Sequence, residues 1–316
     1  MKRFIKFLLI FTLPVVISGI TIEVLLRHIP NDYRSKCNYL EKNSNNVTTL
    51  ILGSSHDYYG INPQFFHSKS FNAAEVSQSV DYDYFILKKY DNNWKSLKTI
   101  VLSVDYPSLF SLMKDGSEAW RVKNYNIYYG LNTDNNIADY TEVFSNNLSI
   151  NISRLYQYYL LRENLACSEL GWATWYSSKH NRDLVSTGKV SAARHTIKPI
   201  RVLRDNVGYI KSIIDFAKAR NIKVILFTAP AYKTYTENLN PAQLNVTVNA
   251  LTKISRSYDN VSYFNLLNDP VFTKGDFYDA DHLNEIGAKK LSTKIDSLIT
   301  NPSQRQSAIP ETRVKM

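Results

Sequence analysis

The stretch IKVILFT, residues 222–228, is the clearest β-strand in the sequence and decides the fold. Its run of bulky apolar side chains is typical of a strand that is buried on both faces of a sheet. An apolar stripe at helical spacing precedes it in residues 205–220, with Asp205 as the predicted N-cap, and another helix is predicted at 241–258. A strand between two helices favours a parallel sheet with helices on its faces.

The same alternation extends outward from this strand in both directions. Further strands are predicted at 48–52 (TTLIL), 70–74 (SFNAA), 98–104 (KTIVLSV) and 261–266 (VSYFNL), and further helices at 82–90 and 284–299. The pattern predicts an α/β fold, specifically a flavodoxin-like three-layer sandwich with a mostly parallel sheet. Functional residues of such folds lie beyond the carboxyl ends of the strands. That rule selects residues 54–56, 72–74, 105–106 and 229–232.

Residues 107 to about 200 interrupt the alternation. This segment is rich in Tyr, Asn and Trp, has helix-like patches such as 150–161, and contains no clear strand pattern. It is interpreted as a helical insertion that covers one end of the sheet. Seven Lys or Arg and one acid lie between Lys179 and Arg204. Such a basic run is usually a solvated face, although it could contact lipid phosphates or an anionic polymer.

The composition limits the classes of partner. The chain has 316 residues, 22 Tyr and a formal net charge of +10. No zinc-finger spacing, recognition-helix signature or RNA-binding aromatic motif accompanies this charge, so nucleic acid is not an expected partner. The tyrosines suit either carbohydrate contact or packing under long loops. Cys37 and Cys167 have no metal-binding spacing, and outside the cytoplasm they could pair.

The amino terminus is typical of a membrane element. Three basic residues precede the uncharged run 7–22, and the apolar residues 24–26 extend that run past Glu23 towards the length of a spanning helix. Positive charge ahead of the run places the amino terminus in the cytoplasm and the remaining chain outside. An uncleaved anchor is favoured over a cleaved signal peptide because small residues before a cut are poorly matched.

The chain therefore divides into four predicted parts. A single-pass signal-anchor segment occupies 1–27, a juxtamembrane linker with a short helix occupies 28–47, and the folded domain with its insertion occupies 48–300. The polar residues 301–316 are expected to form a flexible tail.

Two blocks near opposite ends of the domain carry the residues of a serine hydrolase. Ser55 follows the first strand just after Gly53, where a sharp turn would expose its side chain. Asp279 and His282, in the block DADH, precede the last helix. A serine hydroxyl needs a base within hydrogen-bond reach and an acid that orients the base. These residues can supply that arrangement if the two blocks meet.

The two blocks resemble the SGNH (GDSL-type) hydrolase superfamily. The longer pattern LGSSHDYYGINP at 52–63, with FNAA at 71–74 and SQS at 77–79, resembles the membrane-anchored SGNH-like proteins of bacterial envelope polysaccharide acylation. That group includes the alginate O-acetylation proteins and the teichoic-acid D-alanylation protein. The resemblance covers about residues 48–300 and leaves the insertion unaccounted for.

Carried over residue by residue, the resemblance assigns catalytic roles to Ser55 as nucleophile, His282 as base and Asp279 as orienting acid. Backbone N–H groups of Ser55 and of Ala73 or Ala74 would then form the oxyanion hole, since a backbone donor survives the change from the family's glycine. The expected substrate-binding residues are His56, Asp105, Tyr106 and Tyr232. Asp105 stands near the family's asparagine, where a carboxylate would repel an oxyanion unless it is protonated or turned away.

The resemblance implies ester hydrolysis or acyl transfer, of O-acetyl groups above all, on an envelope or extracellular polysaccharide. It implies no cofactor and no metal, an acyl donor delivered by a multi-spanning membrane acyltransferase, and a catalytic domain outside the bacterial inner membrane. The sequence leaves open whether water or a sugar accepts the acyl group.

Other interpretations of the same residues stay open. The serines could be ordinary turn residues, and His56, Asp57, Asp281 and His282 could bind a metal, although their spacing is irregular. A non-catalytic carbohydrate-binding or assembly component with this fold is the alternative function, which the Asp105 departure and the many aromatics would fit. His195 is interpreted as structural or exposed.

Overall fold

A computed structural model describes residues 1–133, 136–162, 167–197 and 202–301. Its five strands form one sheet in which every pairing is parallel: Thr49–Leu52 (β1), Ser70–Asn72 (β2), Thr99–Ser103 (β3), Lys223–Thr228 (β4) and Val261–Asn265 (β5). Their order across the sheet is β2-β1-β3-β4-β5. The predicted α/β class and flavodoxin-like strand order are confirmed.

Twelve α-helical segments occur in the described residues. In chain order they are Lys2–His28 (α1), Asp32–Asn43 (α2), Ser55–Gly60 (α3), Val80–Lys89 (α4), Val122–Asn124 (α5), Glu142–Ser145 (α6), Leu148–Leu155 (α7), Leu184–His195 (α8), Leu203–Lys218 (α9), Lys233–Thr236 (α10), Pro241–Ser257 (α11) and Glu285–Thr300 (α12). All four core-domain helices predicted from periodicity are present, as α4, α9, α11 and α12. The predicted N-cap at Asp205 is wrong, because α9 begins earlier and Asp205 lies in its first turn.

The sheet is the middle layer of three. Alternate strand residues point to opposite faces, so Leu50 and Leu226 lie in one core cluster while Ile51 and Ile225 lie in the other. The first cluster is closed by apolar residues of α2, α4, α9 and α11, and the second by those of α12. Burial on both faces explains why the strands have continuous apolar runs.

The amino-terminal helix α1 is the one helix of the described residues that is long and apolar enough to cross a membrane. Its most apolar 18-residue window has a mean hydropathy of 2.3, and none of that window is buried in the protein. The helix α2 follows almost directly, and its Tyr33, Cys37 and Leu40 belong to the first core cluster. The segment 28–47 is therefore packed onto the domain. The thiols of Cys37 and Cys167 are free.

The predicted insertion is present between β3 and α9. It contains the short helices α5 to α7, two π-helical turns at Tyr125–Tyr129 and Tyr156–Leu160, and the longer α8, with no strand in its described part. Lys198 and Arg201 of the basic run, the end of the insertion, and residues 302–316 of the predicted tail lie outside the described residues.

Gly53 makes the turn that follows β1. Its φ of +127° is a conformation that side-chain-bearing residues rarely adopt, and a Cβ atom would lie 2.0 Å from Oδ2 of Asp57. Its N–H donates to Oδ1 of Asp83 at 2.8 Å. The turn fixes the direction in which the chain enters α3.

Gly53→Ala is expected to lower the free energy of unfolding by roughly 2–4 kcal/mol, because it adds backbone strain and a steric clash. The urea midpoint of the full-length chain in detergent, followed by tryptophan fluorescence, measures the loss. Gly208→Ala is the matched control, since a Cβ at this exposed position of α9 meets nothing within 4 Å. It should leave the midpoint unchanged or raise it. Equal midpoints for the two variants would contradict a strained turn at Gly53.

Candidate active site

The carboxyl end of β1 delivers Ser55 to the sheet edge next to β3. In the order β2-β1-β3-β4-β5, the strand that follows β1 in the chain, β2, lies on one side of β1, and the next strand, β3, pairs with β1 on its other side. Ligands of such sheets bind at this switch point. Ser55 is the first residue of α3 and is half-buried. The strand order thus places a serine hydroxyl at the position where open α/β sheets bind ligands.

The loop before α12 positions the other two residues. The side chain of Asn284 caps α12 by accepting from the N–H groups of Ile286 and Gly287, at 3.0 and 3.1 Å. The backbone N–H of Tyr278 donates to the carbonyl of His282 at 2.9 Å and closes the loop. Within it, Oδ1 of Asp279 accepts the backbone N–H of His282 at 2.8 Å. This backbone hydrogen bond holds Asp279 next to His282, independently of the contact between their side chains.

The three side chains form a continuous hydrogen-bonded chain. Oγ of Ser55 lies 2.8 Å from Nε2 of His282, across a sequence separation of 227 residues. Nδ1 of the same imidazole lies 3.0 Å from Oδ1 of Asp279. Both distances are within hydrogen-bond reach, and each ring nitrogen has one partner. The geometry is that of a nucleophile, a base and an acid that orients the base.

The charges of this chain favour proton transfer from the serine. Burial alone would lower the pKa of His282, but the carboxylates of Asp281 and Asp279 raise it above its ordinary value of 6.5. Burial alone would likewise raise the pKa of Asp279, and the adjacent imidazole holds it below its usual 3.8. The site therefore stabilises the imidazolium that forms when the base takes the serine proton.

The raised pKa of His282 predicts an alkaline-shifted pH profile. The base acts only when it is neutral, so kcat/KM should rise with pH through the His282 pKa and become flat above it. The midpoint of the acidic limb is expected above pH 6.5, the ordinary histidine value. Initial rates of ester hydrolysis from about pH 5 to about pH 10 measure it. A limb centred below the ordinary value would contradict the electrostatic assignment.

A second buried carboxylate, Asp281, lies beside the base. Both of its oxygens are buried and form no hydrogen bond with the described residues. Oδ1 is 3.7 Å from Nδ1 of His282, and Oδ2 is 3.8 Å from Nδ1 of His195. Burial lowers the pKa of His195 to about 4, against the opposing effect of Asp281. The carboxylate of Asp281 raises the pKa of both imidazoles, and at His282 it favours the imidazolium.

Asp105 is turned onto His56. Its Oδ2 lies 3.0 Å from Nδ1 of His56, and its Oδ1 accepts the N–H of Ala229 at 2.8 Å. Burial would raise the pKa of Asp105, but these partners keep it below the usual value. The ring of His56 stacks on that of His282, with centroids 4.9 Å apart. Of the alternatives for this carboxylate, the structure shows the one in which it is turned away, onto His56 and the N–H of Ala229.

The backbone groups expected to form the oxyanion hole differ in availability. The N–H of Ala73 donates to the carbonyl of Ile51 at 2.8 Å, and the N–H of Ala74 donates to Oδ1 of Asn72 at 3.0 Å. Neither is free for an oxyanion in this arrangement, because each already has an acceptor. The N–H of Ser55 has no acceptor among the described residues. It is the available donor of the expected set.

A cavity of about 660 Å³ opens over Ser55, His56, Asp279 and His282. Most of its other lining residues come from the insertion, which confirms that the insertion covers this end of the sheet. Asp105, Tyr106 and Tyr232, expected to bind substrate, do not line it. The hydroxyl of Tyr106 instead bonds to Thr196 at 2.9 Å, inside the protein.

Three tyrosines stack beside the base. The ring of Tyr176 lies 3.6 Å from that of Tyr59 on one face and 3.8 Å from that of Tyr278 on the other, all nearly parallel. Because both faces of Tyr176 are covered, it has no open face on which a sugar ring could stack. Tyr59 and Tyr176 line the cavity, and both meet the ring of His282 edge-on.

One group of three side chains among the described residues could hold a metal ion. His56, Asp281 and His282 offer ligand atoms that all lie within 4.8 Å of one another. An ion bound there would need a nitrogen of His282, and both nitrogens already bond to Ser55 and Asp279. Metal binding and an intact serine–histidine–aspartate chain therefore exclude each other at this site.

Sequence reasoning missed the cationic wall of the cavity. Arg182 and Arg194 belong to the basic run that was interpreted as a solvated face, and Arg121 lies earlier in the insertion; all three line the cavity. The usable signal was the position of the basic run inside an insertion predicted to cover the catalytic edge. His195, interpreted from the sequence as structural or exposed, also lines the cavity and approaches Asp281.

No protein-family model and no curated protein matches the chain. Among solved structures, it is similar to a candidate acylhydrolase from Bacteroides fragilis, with 14% identity over 84% of this chain and 96% of the other, at a TM-score of 0.39. It is also similar to a GDSL-like lipase from Bacteroides thetaiotaomicron, with 11% identity over 87% and 99%, at 0.39. A candidate platelet activating factor from Streptococcus pneumonia gives 10% identity over 84% and 92%, at 0.41. Such values assign no activity, so the chemistry rests on the chain's own side chains.

Proposed function

We propose that the chain is an SGNH-type serine enzyme that hydrolyses or transfers a small acyl ester. The observation that carries the proposal is the contact between Oγ of Ser55 and Nε2 of His282 at 2.8 Å, with Asp279 bonded to the other ring nitrogen. Hydrogen-bonded Ser, His and Asp side chains at the mouth of a cavity support nucleophilic acyl chemistry. The GSS and DADH blocks support the SGNH assignment.

The proposed reaction has two steps. Oγ of Ser55 attacks the ester carbonyl while its proton passes to Nε2 of His282, and the tetrahedral intermediate expels the alcohol, which takes that proton. Water or a sugar hydroxyl then gives a proton to Nε2 and attacks the acyl-serine, which releases the acid or the new ester and restores Ser55. The N–H of Ser55 faces the oxyanion in both steps.

The polar side chains of the cavity support a hydrophilic molecule as the carrier of the acyl group. Nine serines and three arginines are among its lining residues, together with apolar side chains such as Leu112, Met113 and Val190. Sugar hydroxyls can hydrogen-bond to serine and arginine side chains. These features support an acetylated cell-envelope or extracellular polysaccharide as the substrate class.

The apolar helix α1 supports a location at the bacterial inner membrane, with the domain on the extracytoplasmic side. A site tethered there could receive acyl groups from a multi-spanning membrane acyltransferase, which we propose as the donor-delivering partner. The tether shortens the search between donor and acceptor by raising the effective concentration of each.

The test uses the full-length chain purified in detergent. 4-Nitrophenyl acetate should be hydrolysed faster than 4-nitrophenyl octanoate, and an added oligosaccharide should gain acetyl groups, detected by mass spectrometry, if the enzyme is a transferase. Nitrophenol release without acetylated sugar identifies a hydrolase. Release no faster than in buffer would contradict the enzyme and favour the non-catalytic binding component.

A further inference from the structure

The helix α7 exposes the face that a surface helix ordinarily buries. Its outward residues, together with those of the π-helical turn that follows, recur at four-residue intervals and are Leu148, Ile152, Tyr156 and Leu160. They are between 52% and 70% exposed. A helix on a water-soluble surface directs such a stripe to the core and its polar residues to solvent. In α7 the apolar stripe is exposed, beside Ser149 and Ser153, and the buried residue is the polar Asn151.

The polar residues Asn151 and Arg154 of α7 are directed into the protein. Nδ2 of Asn151 donates to the carbonyl of Glu142 at 3.2 Å, and Arg154 donates to Oε2 of Glu142 at 2.7 Å. Lys123 also bonds to this carboxylate. Burial would raise the pKa of Glu142, but the two cations lower it to about 2. This orientation is therefore fixed by a buried ionic cluster and is not that of a frayed or loosely held helix.

The helix α7 lies against the carboxyl-terminal end of α1. The carboxylate of Glu23 accepts the backbone N–H groups of Glu142 and Val143, at 3.0 and 2.9 Å. Arg27 bonds to Glu23 at 2.6 Å and to the carbonyl of Tyr140 at 2.7 Å. These bonds neutralise the acid that interrupts the apolar sequence of α1. They also fix α6 and α7 at one level along the anchor helix.

A second contact makes the two apolar surfaces continuous. The hydroxyl of Tyr159 donates to the carbonyl of Leu25 at 3.1 Å, and Leu25 and Val24 are themselves exposed. The exposed apolar surface of α1 thus runs onto the insertion. We call the adjoining surface the apolar platform, formed by Phe144, Leu148, Ile152, Tyr156, Leu160 and Leu161.

We propose that the apolar platform lies in the surface of the lipid bilayer that α1 spans, and that it is a second, monotopic membrane contact of this chain. The proposal rests on α1 being a membrane anchor, as proposed for the function. Exposed contiguous apolar side chains on a rigid helix mark an interaction surface. An amphipathic segment of this kind buries its apolar face at the boundary of headgroups and acyl chains.

Charge favours lipid over a protein as the occupant. Arg154 is the one charged residue between Val143 and Leu161, and it pairs with the buried Glu142. No ionic group of this segment would be left unpaired in hydrocarbon. The length of α1 agrees with the placement: its 27 residues span about 40 Å, enough for an apolar core of about 30 Å with its end at the headgroups.

The platform would set the direction in which the active site faces. The same insertion supplies most of the cavity lining, through segments on both sides of α6 and α7. Two contacts, α1 and the platform, restrict rotation of the domain about the anchor, which one flexible tether would allow. The cavity would then keep a defined orientation to the membrane surface.

Introduced tryptophans in liposomes test the placement. The full-length chain is reconstituted into phosphatidylcholine vesicles with or without bromine on the lipid acyl chains, and the quenching of the unsubstituted chain is subtracted. Leu160→Trp and Phe144→Trp should lose most of their added fluorescence to the brominated lipid. Val271→Trp is the control and should lose none of its added fluorescence. Val271 is exposed, and its carbonyl accepts from Lys290 of α12, on the other face of the sheet.

A fourth variant, Phe11→Trp in α1, separates the two claims. Quenching at Phe11→Trp together with quenching at the platform supports the proposal. Quenching at Phe11→Trp alone shows an inserted anchor and overturns the platform, leaving a protein partner as its cover. Absence of quenching at Phe11→Trp, Leu160→Trp and Phe144→Trp overturns both membrane contacts. This outcome does not bear on ester hydrolysis, which is assayed separately in detergent. Quenching at Val271→Trp as strong as at Leu160→Trp and Phe144→Trp would also overturn the proposal, since the platform would then be no closer to the lipid than the opposite face of the domain.

Discussion

Ser55→Ala is expected to abolish ester hydrolysis. Its Oγ is the one nucleophile that the described residues bring within 2.8 Å of Nε2 of His282. Removing the nucleophile of a serine–histidine–aspartate chain lowers kcat by about 10⁴-fold to 10⁶-fold, and the remainder comes from binding and the oxyanion site. Initial rates with 4-nitrophenyl acetate measure the loss. A fluorophosphonate probe should label the unsubstituted chain and not the variant.

The neighbouring serine offers a matched control. Ser54 differs from Ser55 by one position, and its hydroxyl contacts Nδ1 of His56 at 3.3 Å, away from His282. Ser54→Ala should keep kcat within about tenfold of the unsubstituted chain, because a neutral hydrogen bond of this length contributes about 1 kcal/mol. A Ser54→Ala loss as large as that of Ser55→Ala would contradict the assignment of the nucleophile. Full activity in Ser55→Ala would remove the serine mechanism altogether.

Local patterns in the sequence predict the frame of the site well. The strand at 222–228 and the Asn284 cap of α12 depend on residues within one or two turns of each other, and both are present. The meeting of Ser55 and His282 depends on strand order, which the alternation of strands and helices restricts to few topologies. These are the features that composition, periodicity and capping can specify.

Choices between competing hydrogen-bond partners are harder to predict. Asp105 could have faced the cavity, but it pairs with His56, which lies 49 positions away in the sequence. The N–H groups of Ala73 and Ala74 are used by the path of the chain after β2, which no local pattern specifies. Each outcome depends on which acceptor tertiary packing brings nearest. Residue propensity and motif spacing give no information on which acceptor lies nearest in the folded protein.

The exposed apolar stripe of α7 is a second feature that local sequence patterns do not predict. The sequence predicts a helix-like patch at 150–161, yet periodicity cannot say which face of a helix points to the protein. Glu142 decides that question, because its buried carboxylate requires Arg154 on the inner face. A sequence rule that sends the apolar stripe to the core therefore fails for α7, where we propose that a membrane surface takes the place of the core.

Asp279→Asn is expected to lower kcat/KM by about 10⁴-fold, the effect of the same change in serine proteases of this arrangement. An amide carries no charge to stabilise the imidazolium, and its N–H₂ group can turn towards Nδ1 of His282, which then presents the wrong tautomer to Ser55. In this variant Asp281 could take over the role of Asp279, because its carboxylate lies 3.7 Å from the same nitrogen of His282.

Asp281→Asn distinguishes the two carboxylates. The bond between Asp279 and His282 survives this change, so kcat at high pH should fall by less than about tenfold. The acidic limb of the pH profile should move to lower pH, because Asp281 contributes to the raised pKa of His282 and its charge is removed. A loss as large as that of Asp279→Asn, with no shift of the limb, would give the orienting role to Asp281 and contradict the assignment of Asp279. If Asp281 partly replaces Asp279, the double variant should be slower than Asp279→Asn alone.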